Sequence, residues 1–356
     1  MIEEYLDKEI EVMPLSLQNE YMKRIKEIVS EKDAPDDTKE AITLLLSTTN
    51  TAEIFLKRIL SDYKTVFMEA HSRVIFNKSY KYSAFFKLED DREVSTILEE
   101  MSKVQNDNIE INSNLKMLKY TFLLQGARII NDAPVALKTT YSPIVKFWEI
   151  EANDEKYKFV EIDTENIATH FRTNGTEFFS DKINFMSELL TNKYLLTLVP
   201  IIFFDTLENI KNDEQGEDFP QTFGQKMVLR SGAAATLVSS ETDSVILPIL
   251  GELKQLMKEN DEMFSSSPEI KDLLETFVKD TEVWAEFPWV TLIWNHNHKY
   301  KNRRIQVKFV LDRNDFTLLN YYWHMNGRSG MNDVVEYLLK KFSSLSNHGE
   351  EISEES

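Results

Sequence analysis

The stretch 303–342, RRIQVKFVLDRNDFTLLNYYWHMNGRSGMNDVVEYLLKKF, carries the most information in this chain. Over 304–311 the residues alternate with period two. Ile305, Val307, Phe309 and Leu311 fall on one side, and Arg304, Gln306, Lys308 and Val310 on the other. That is the pattern of a strand with one core face and one face of hydrogen-bond donors. Phe316, Leu319, Tyr322 and Trp323 then recur at helical spacing and predict a first helix, with Asn326-Gly327 suited to end it. Ser329 or Asn332 can cap a second helix, whose apolar stripe is Val334, Val335, Leu338, Leu339 and Phe342.

Charge sets this stretch apart. The chain of 356 residues has a formal net charge of −19. Residues 291–345 hold nine basic and four acidic side chains, and no acid occurs between Glu286 and Asp312. A basic island on an acidic body points to contact with a polyanion, provided the body faces away. Screening over about 8 Å at physiological salt makes a body one domain's width away cost little. The tail 346–356 is acidic and is expected to be disordered.

Working outward, 288–295 (PWVTLIWN) reads as a strand able to form a hairpin with 304–311. Helical signals dominate 1–106. LSLQNEYMKRIKEIVSE follows Pro14, AITLLL follows an Asp36-Asp37-Thr38 start, 51–75 keeps an apolar helical rhythm, and strand-like SAFFKL precedes the helix DREVSTILEEMSKV. Over 107–175, KYTFLLQGARII, PVALKTTY, IVKFWEIE and KYKFVEID are rich in β-branched and aromatic residues. NDAP and EANDE break them as turns, so an antiparallel β-rich block is expected. Region 176–287 is expected to be helical, with 212–221 as a surface loop. The apolar run LLTLVPIIFF at 195–204 is read as a buried helix, too short to span a bilayer. The expected organisation is therefore α+β. A helical region at 1–106, a β-rich region at 107–175 and a helical region at 176–287 precede a hairpin plus helix-helix module at 288–345 and the tail.

Composition excludes some chemistry. Without cysteine there is no disulfide, thiolate metal site or cysteine nucleophile, and a cytoplasmic location is expected. The N-terminal MIEEYLDKEIEV lacks the layout of a secretory signal, and no membrane association is expected. Asp243, Glu252 and Lys254 offer the residue types of a metal-dependent nuclease. That chemistry needs the Glu and Lys on a strand, however, and here they sit in a helical pattern, where a solvated helix face is the simpler reading. His296 and His298 would share a strand face but have no evident third ligand. KSYKYSAFFK, 78–87, mixes aromatics with lysine as single-strand-binding faces do, although an ordinary amphipathic strand explains it. SGAAAT, 231–236, has no phosphate-binding Lys-Ser/Thr ending. No cofactor or metal site is expected.

The C-terminal 40 residues resemble the ribbon-helix-helix family of DNA-binding proteins. The resemblance rests on Leu311 at the strand end, Leu319 in the first helix, Gly327-Arg328-Ser329 and the NDVVEYLL run. It implies a homodimer whose paired strands enter the major groove of double-stranded DNA. Arg304, Gln306 and Lys308 would read bases. Arg328, Ser329 and the first amides of the second helix would hold a phosphate. The basic Lys299, Lys301 and Arg303 would add backbone contacts. The implied function is DNA binding in transcription regulation or in plasmid or phage DNA maintenance, with the acidic body as a sensing or protein-interaction region. The structural alternative is a hairpin plus two helices closing a larger α+β domain, and the functional alternative is a non-DNA-binding assembly protein whose strand 304–311 pairs with a partner's sheet.

Overall fold

The computed structural model describes residues 6–353, except 8–9, 12, 14, 32–35, 50, 105–107, 131, 176, 213–219, 239–247, 284, 297–302, 312–314 and 323–326. The chain is α+β and divides into two compact units, Met1–Lys78 and Ser79–Ser356. The expected boundaries near 106, 175 and 287 are thus replaced by one near Lys78. The strands from all three later regions hydrogen-bond into one sheet and cannot form separate cores.

The first unit packs four described helices: α1 (Leu15–Ser30), α2 (Asp36–Thr48), α3 (Ala52–Asp62) and α4 (Lys64–Phe76). In α1, Tyr21, Ile25 and Ile28 recur at i, i+4 and i+7 and are buried with Phe55, Leu56 and Ile59 of α3 and Phe67 and Val74 of α4. Thr51 caps α3 by accepting from the Ile54 amide at 3.3 Å. The single rhythm over 51–75 is cut at Tyr63, whose φ of −132° and ψ of 49° leave the helical region. Inside this core the Tyr21 hydroxyl and His71 Nδ1 are hydrogen-bonded at 2.8 Å.

The second unit begins with β1 (Tyr82–Leu88) and α5 (Val94–Lys103). The β-rich block follows as β2 (Ile109–Asn112), β3 (Met117–Tyr120), β4 (Phe122–Ile130), β5 (Ala133–Tyr141), β6 (Ile144–Ala152) and β7 (Glu155–Thr164). Next come α6 (Phe178–Tyr194), β8 (Leu198–Pro200), α7 (Phe204–Asn212), β9 (Gln221–Val228) and β10 (Ala234–Val238). A helical hairpin of α8 (Pro248–Glu259), α9 (Asp261–Ser265) and α10 (Pro268–Val283) leads to β11 (Glu286–His296), β12 (Arg303–Val310), β13 (Leu318–Tyr322) and α11 (Gly327–Ser353).

Eleven strands form one sheet in the order β10-β9-β11-β12-β13-β1-β7-β6-β3-β2, with β8 also on β1; β4 and β5 pair with each other. All pairings are antiparallel. Alternation sorts the side chains into two cores. On one face Phe85, Phe159, Val290, Leu292, Ile305, Val307, Phe309 and Leu319 pack under Val334, Val335, Leu338 and Leu339 of α11 and Leu207 and Ile210 of α7. On the other, Ala84, Phe86, Val145, Val160 and Ile162 pack under Ile97, Leu98 and Met101 of α5 and Ile183, Met186 and Leu190 of α6.

Several expectations are corrected here. The helix expected over 316–323 is strand β13. Its backbone groups are taken by β12 on one side and β1 on the other, and Leu319 and Tyr321 alternate with Leu318, Asn320 and Tyr322 across the sheet. The residues expected to turn into the second helix, 323–326, lie outside the described residues. The run 195–204 is not one helix. Leu195 ends α6 in the left-handed conformation (φ 55°), and β8 then pairs with β1. Region 176–287 also contains the β9–β10 hairpin, in which the SGAAAT segment runs from the connection into β10, with Ala234, Ala235 and Thr236 paired to β9. The tail expected to be disordered continues α11 as far as Ser353, with no proline to stop it.

Candidate nucleic-acid interface

Strand β12 keeps the two faces its sequence predicts. Ile305, Val307 and Phe309 are buried, and Gln306, Lys308 and Val310 are partly exposed on the opposite side. Its neighbours decide what surrounds them. Register places Thr291 and Asn320 beside Lys308, Ile293 and Tyr322 beside Gln306, and Trp289 beside Val310. Long side chains then reach diagonally across the pleat. The Lys308 ammonium lies 4.1 Å from the centroid of the Trp289 ring. Asn320 Nδ2 donates to the Tyr322 hydroxyl at 3.0 Å. At the bend before β1, the Lys81 ammonium lies 3.5 Å from the Tyr322 ring centroid and donates to the Tyr321 carbonyl at 2.5 Å. Burial pushes Lys81 down to about 8.

Cations and aromatics continue along this face. Lys226 of β9 sits opposite Trp289. Tyr82 of β1 stacks on Phe179 of α6 at 4.0 Å, with the Arg172 guanidinium 5.1 Å from that ring. Strands β11, β12 and β13 contain a single acid, Glu286 at the start of β11. This surface can take a base on an aromatic ring and an anionic oxygen on an ammonium within one strand spacing.

The residues named from the sequence divide into three groups. Gln306 and Lys308 stand on this partly exposed face. Arg303 and Arg304 belong to the β12 backbone opposite His296 and Asn295. Lys299, Lys301, His298 and Asp243 lie outside the described residues. Ser329 is exposed in the first turn of α11. Glu252 and Lys254 are exposed on α8, a helix, so they do not form the strand-borne pair that the nuclease arrangement needs. The paired-ribbon expectation also changes: over Gln306–Val310 strand β12 is hydrogen-bonded to β11 and to β13, leaving neither edge there for a second copy's strand.

Arg328 is the clearest correction. It was expected to hold a phosphate, but it is buried and ion-paired with the buried Asp163. A charge at the start of α11 looks accessible in sequence, yet the helix lays it on β7, where a buried carboxylate requires it. The two belong to a polar cluster on the α11 face. Tyr80 donates to Glu161 Oε1 at 2.6 Å, and Trp148 Nε1 donates to Glu161 Oε2 at 2.8 Å. Arg328 lies 4.8 Å from the Tyr80 ring centroid, and Lys146 lies 3.3 Å from that of Trp148. Burial first, then the Glu161 charge, raise Asp163 well above the usual carboxylate range, against the pull of Arg328. Burial pushes Lys146 down to about 8, against Glu161. Glu161, Asp163 and Arg328 are all buried, and the Arg328–Asp163 pair fastens the start of α11 to the sheet.

Sequence reasoning missed Trp289 and Tyr322 as site residues. Trp289 sits in PWVTLIWN, and the hairpin register with 304–311 would have placed it on the Lys308 face. Tyr322 falls in the stretch 316–323, whose spacing suits a helix. Lys81 and Tyr82 lie in the aromatic-lysine segment 78–87, whose pattern fits an ordinary amphipathic strand as well as a single-strand-binding face. Among the described residues no group of side chains could hold a metal, and no helix is long and apolar enough to cross a membrane. No protein-family model, curated protein or solved structure matches the chain.

Proposed function

We propose that this protein binds nucleic acid through the β11–β12–β13 face of its sheet, with unstacked bases resting on Trp289 and Tyr322 and phosphates on Lys308 and Lys81. The observation that carries the reading is the pair of lysine–aromatic contacts, Lys308 on Trp289 and Lys81 on Tyr322, on one partly exposed face. Along β12, Trp289 and Tyr322 are offset by four residues and lie on opposite neighbours, roughly 17 Å apart on the diagonal. A short run of single-stranded nucleotides spans such a distance. Gln306 and Asn320 between them supply donors and acceptors for base edges. A sheet face with aromatics and cations suits single strands or splayed loops, because a central strand cannot enter a major groove as a two-stranded ribbon.

The test is fluorescence anisotropy with a labelled thymidine oligomer and a duplex of mixed sequence, over rising salt. Single-strand binding is expected, with a log–log salt slope of about −0.7 per phosphate contacted. Trp289→Ala should cost about 1–3 kcal/mol of affinity. Lys308→Ala should flatten the slope. Preference for the duplex would restore the groove-reading role of Arg304, Gln306 and Lys308. No binding at low salt, or affinity unchanged in the Trp289→Ala/Lys308→Ala double variant, would reject the proposal.

A further inference from the structure

A second surface lies on the helical hairpin α8–α10. On α10, Ile270, Leu273 and Phe277 recur at i, i+3 and i+7 and therefore share one side of the helix. They are 54%, 68% and 56% exposed, far more than their chemistry favours. The adjoining side of α10, through Lys271, Leu274 and Val278, is the one turned inward. There it forms a groove of about 440 Å³ with Met257 of α8.

The lysines of the hairpin gather in the groove, together with the acids Asp261 and Glu275. Pro248–Val283 holds nine acids and four lysines. All four lysines, Lys254, Lys258, Lys271 and Lys279, line the groove, where Lys271 pairs with Asp261 at 2.8 Å. Glu269, Asp272 and Asp280 are exposed on α10 outside it. The helical wheel puts Glu269 and Asp280 along one margin of the apolar stripe.

We infer that the Ile270/Leu273/Phe277 stripe of α10 docks a basic amphipathic helix of a partner protein. Such a helix would cover the three side chains with its apolar face and set lysines or arginines against Glu269 and Asp280. Charge complementarity selects this occupant. A second copy docking antiparallel through the same stripe would bring acidic margin against acidic margin, which like-charge repulsion disfavours. Phe277 is the natural anchor, since buried aromatics dominate such contacts.

The experiment uses the full chain and two synthetic helical peptides with the same leucine stripe, one with lysines on its polar face and one with glutamates, read by anisotropy. The lysine peptide should bind at least tenfold tighter than the glutamate peptide. Leu273→Ser/Phe277→Ser should weaken it at least tenfold, and these positions are exposed, so the fold should persist. Glu269→Lys/Asp280→Lys should shift preference toward the glutamate peptide. Equal binding of both peptides, or binding indifferent to Leu273→Ser/Phe277→Ser, would overturn the inference. So would sedimentation equilibrium showing a dimer that Leu273→Ser/Phe277→Ser dissociates, which would make the stripe a self-association surface.

Discussion

Replacing Arg328 by methionine separates stability from binding. Arg328 is 3% exposed and its partner Asp163 1%, so neither charge can turn to water once the other is removed. At contact distance and an effective dielectric of about 20, the pair is worth about 4 kcal/mol. Truncating one partner of a buried pair costs about 3–5 kcal/mol, and Arg328→Met falls at the low end because Asp163, already raised by burial and by Glu161, can take up a proton once the guanidinium is gone. Arg328→Met should therefore destabilise the Ser79–Ser356 unit by about 3 kcal/mol and lower its midpoint by roughly 6–12 °C. Asp163→Leu alone should cost a similar amount by stranding the guanidinium. The double variant should recover most of the loss, since an apolar pair of similar volume replaces a buried ion pair at little cost. The assay is urea and thermal unfolding of the full chain followed by tryptophan fluorescence, because Trp148 bonds to the neighbouring Glu161. Single-variant losses below about 1 kcal/mol, or losses that simply add in the double variant, would refute the reasoning. Oligonucleotide affinity measured below the unfolding transition should not change; a selective loss of affinity at full stability would return Arg328 to the phosphate role its sequence position suggested.

Lys146 is held near 8, against an ordinary 10.5, so the unfolded chain binds its proton more tightly. Stability should rise as pH increases from about 8 to 10.5, and Lys146→Met should stabilise at pH 7 by up to about 3 kcal/mol, with the gain fading by pH 10.5 in urea titrations. Tyr21→Phe should remove the 2.8 Å hydrogen bond to His71 Nδ1 and destabilise the first unit by about 1 kcal/mol, read as a shift of that unit's transition alone. Gly126→Ala would drive a methyl into the His170 carbonyl and the Phe171 ring, so the β4–β5 hairpin should loosen and be cut faster in limited proteolysis.

Much of the fold was legible where the pattern is dense. IVKFWEIE and KYKFVEID became β6 and β7, SAFFKL became β1, and RRIQVKFV became β12 with the apolar face its alternation requires. The α11 stripe was also readable, because Val334, Val335, Leu338 and Leu339 recur at helical spacing. Less of the candidate site was legible. Lys308 and Gln306 were found from the strand's polar side, but the aromatics beside them arrive from other strands through register.

Local sequence determined the period of the densely patterned elements such as β6, β7 and β12, since side-chain spacing along one segment suffices for those. It also determined the uneven charge, with a basic C-terminal island on an acidic chain. Tertiary structure decided what short or ambiguous segments became. The five residues of β13 suit helix or strand, and pairing with β1 and β12 made them strand, because an unpaired backbone inside a sheet is costly. It also decided the fate of Arg328. A cation at a helix start reads as an anion site until a carboxylate 165 residues away is buried against it, and that partner is set by packing, which no local pattern encodes.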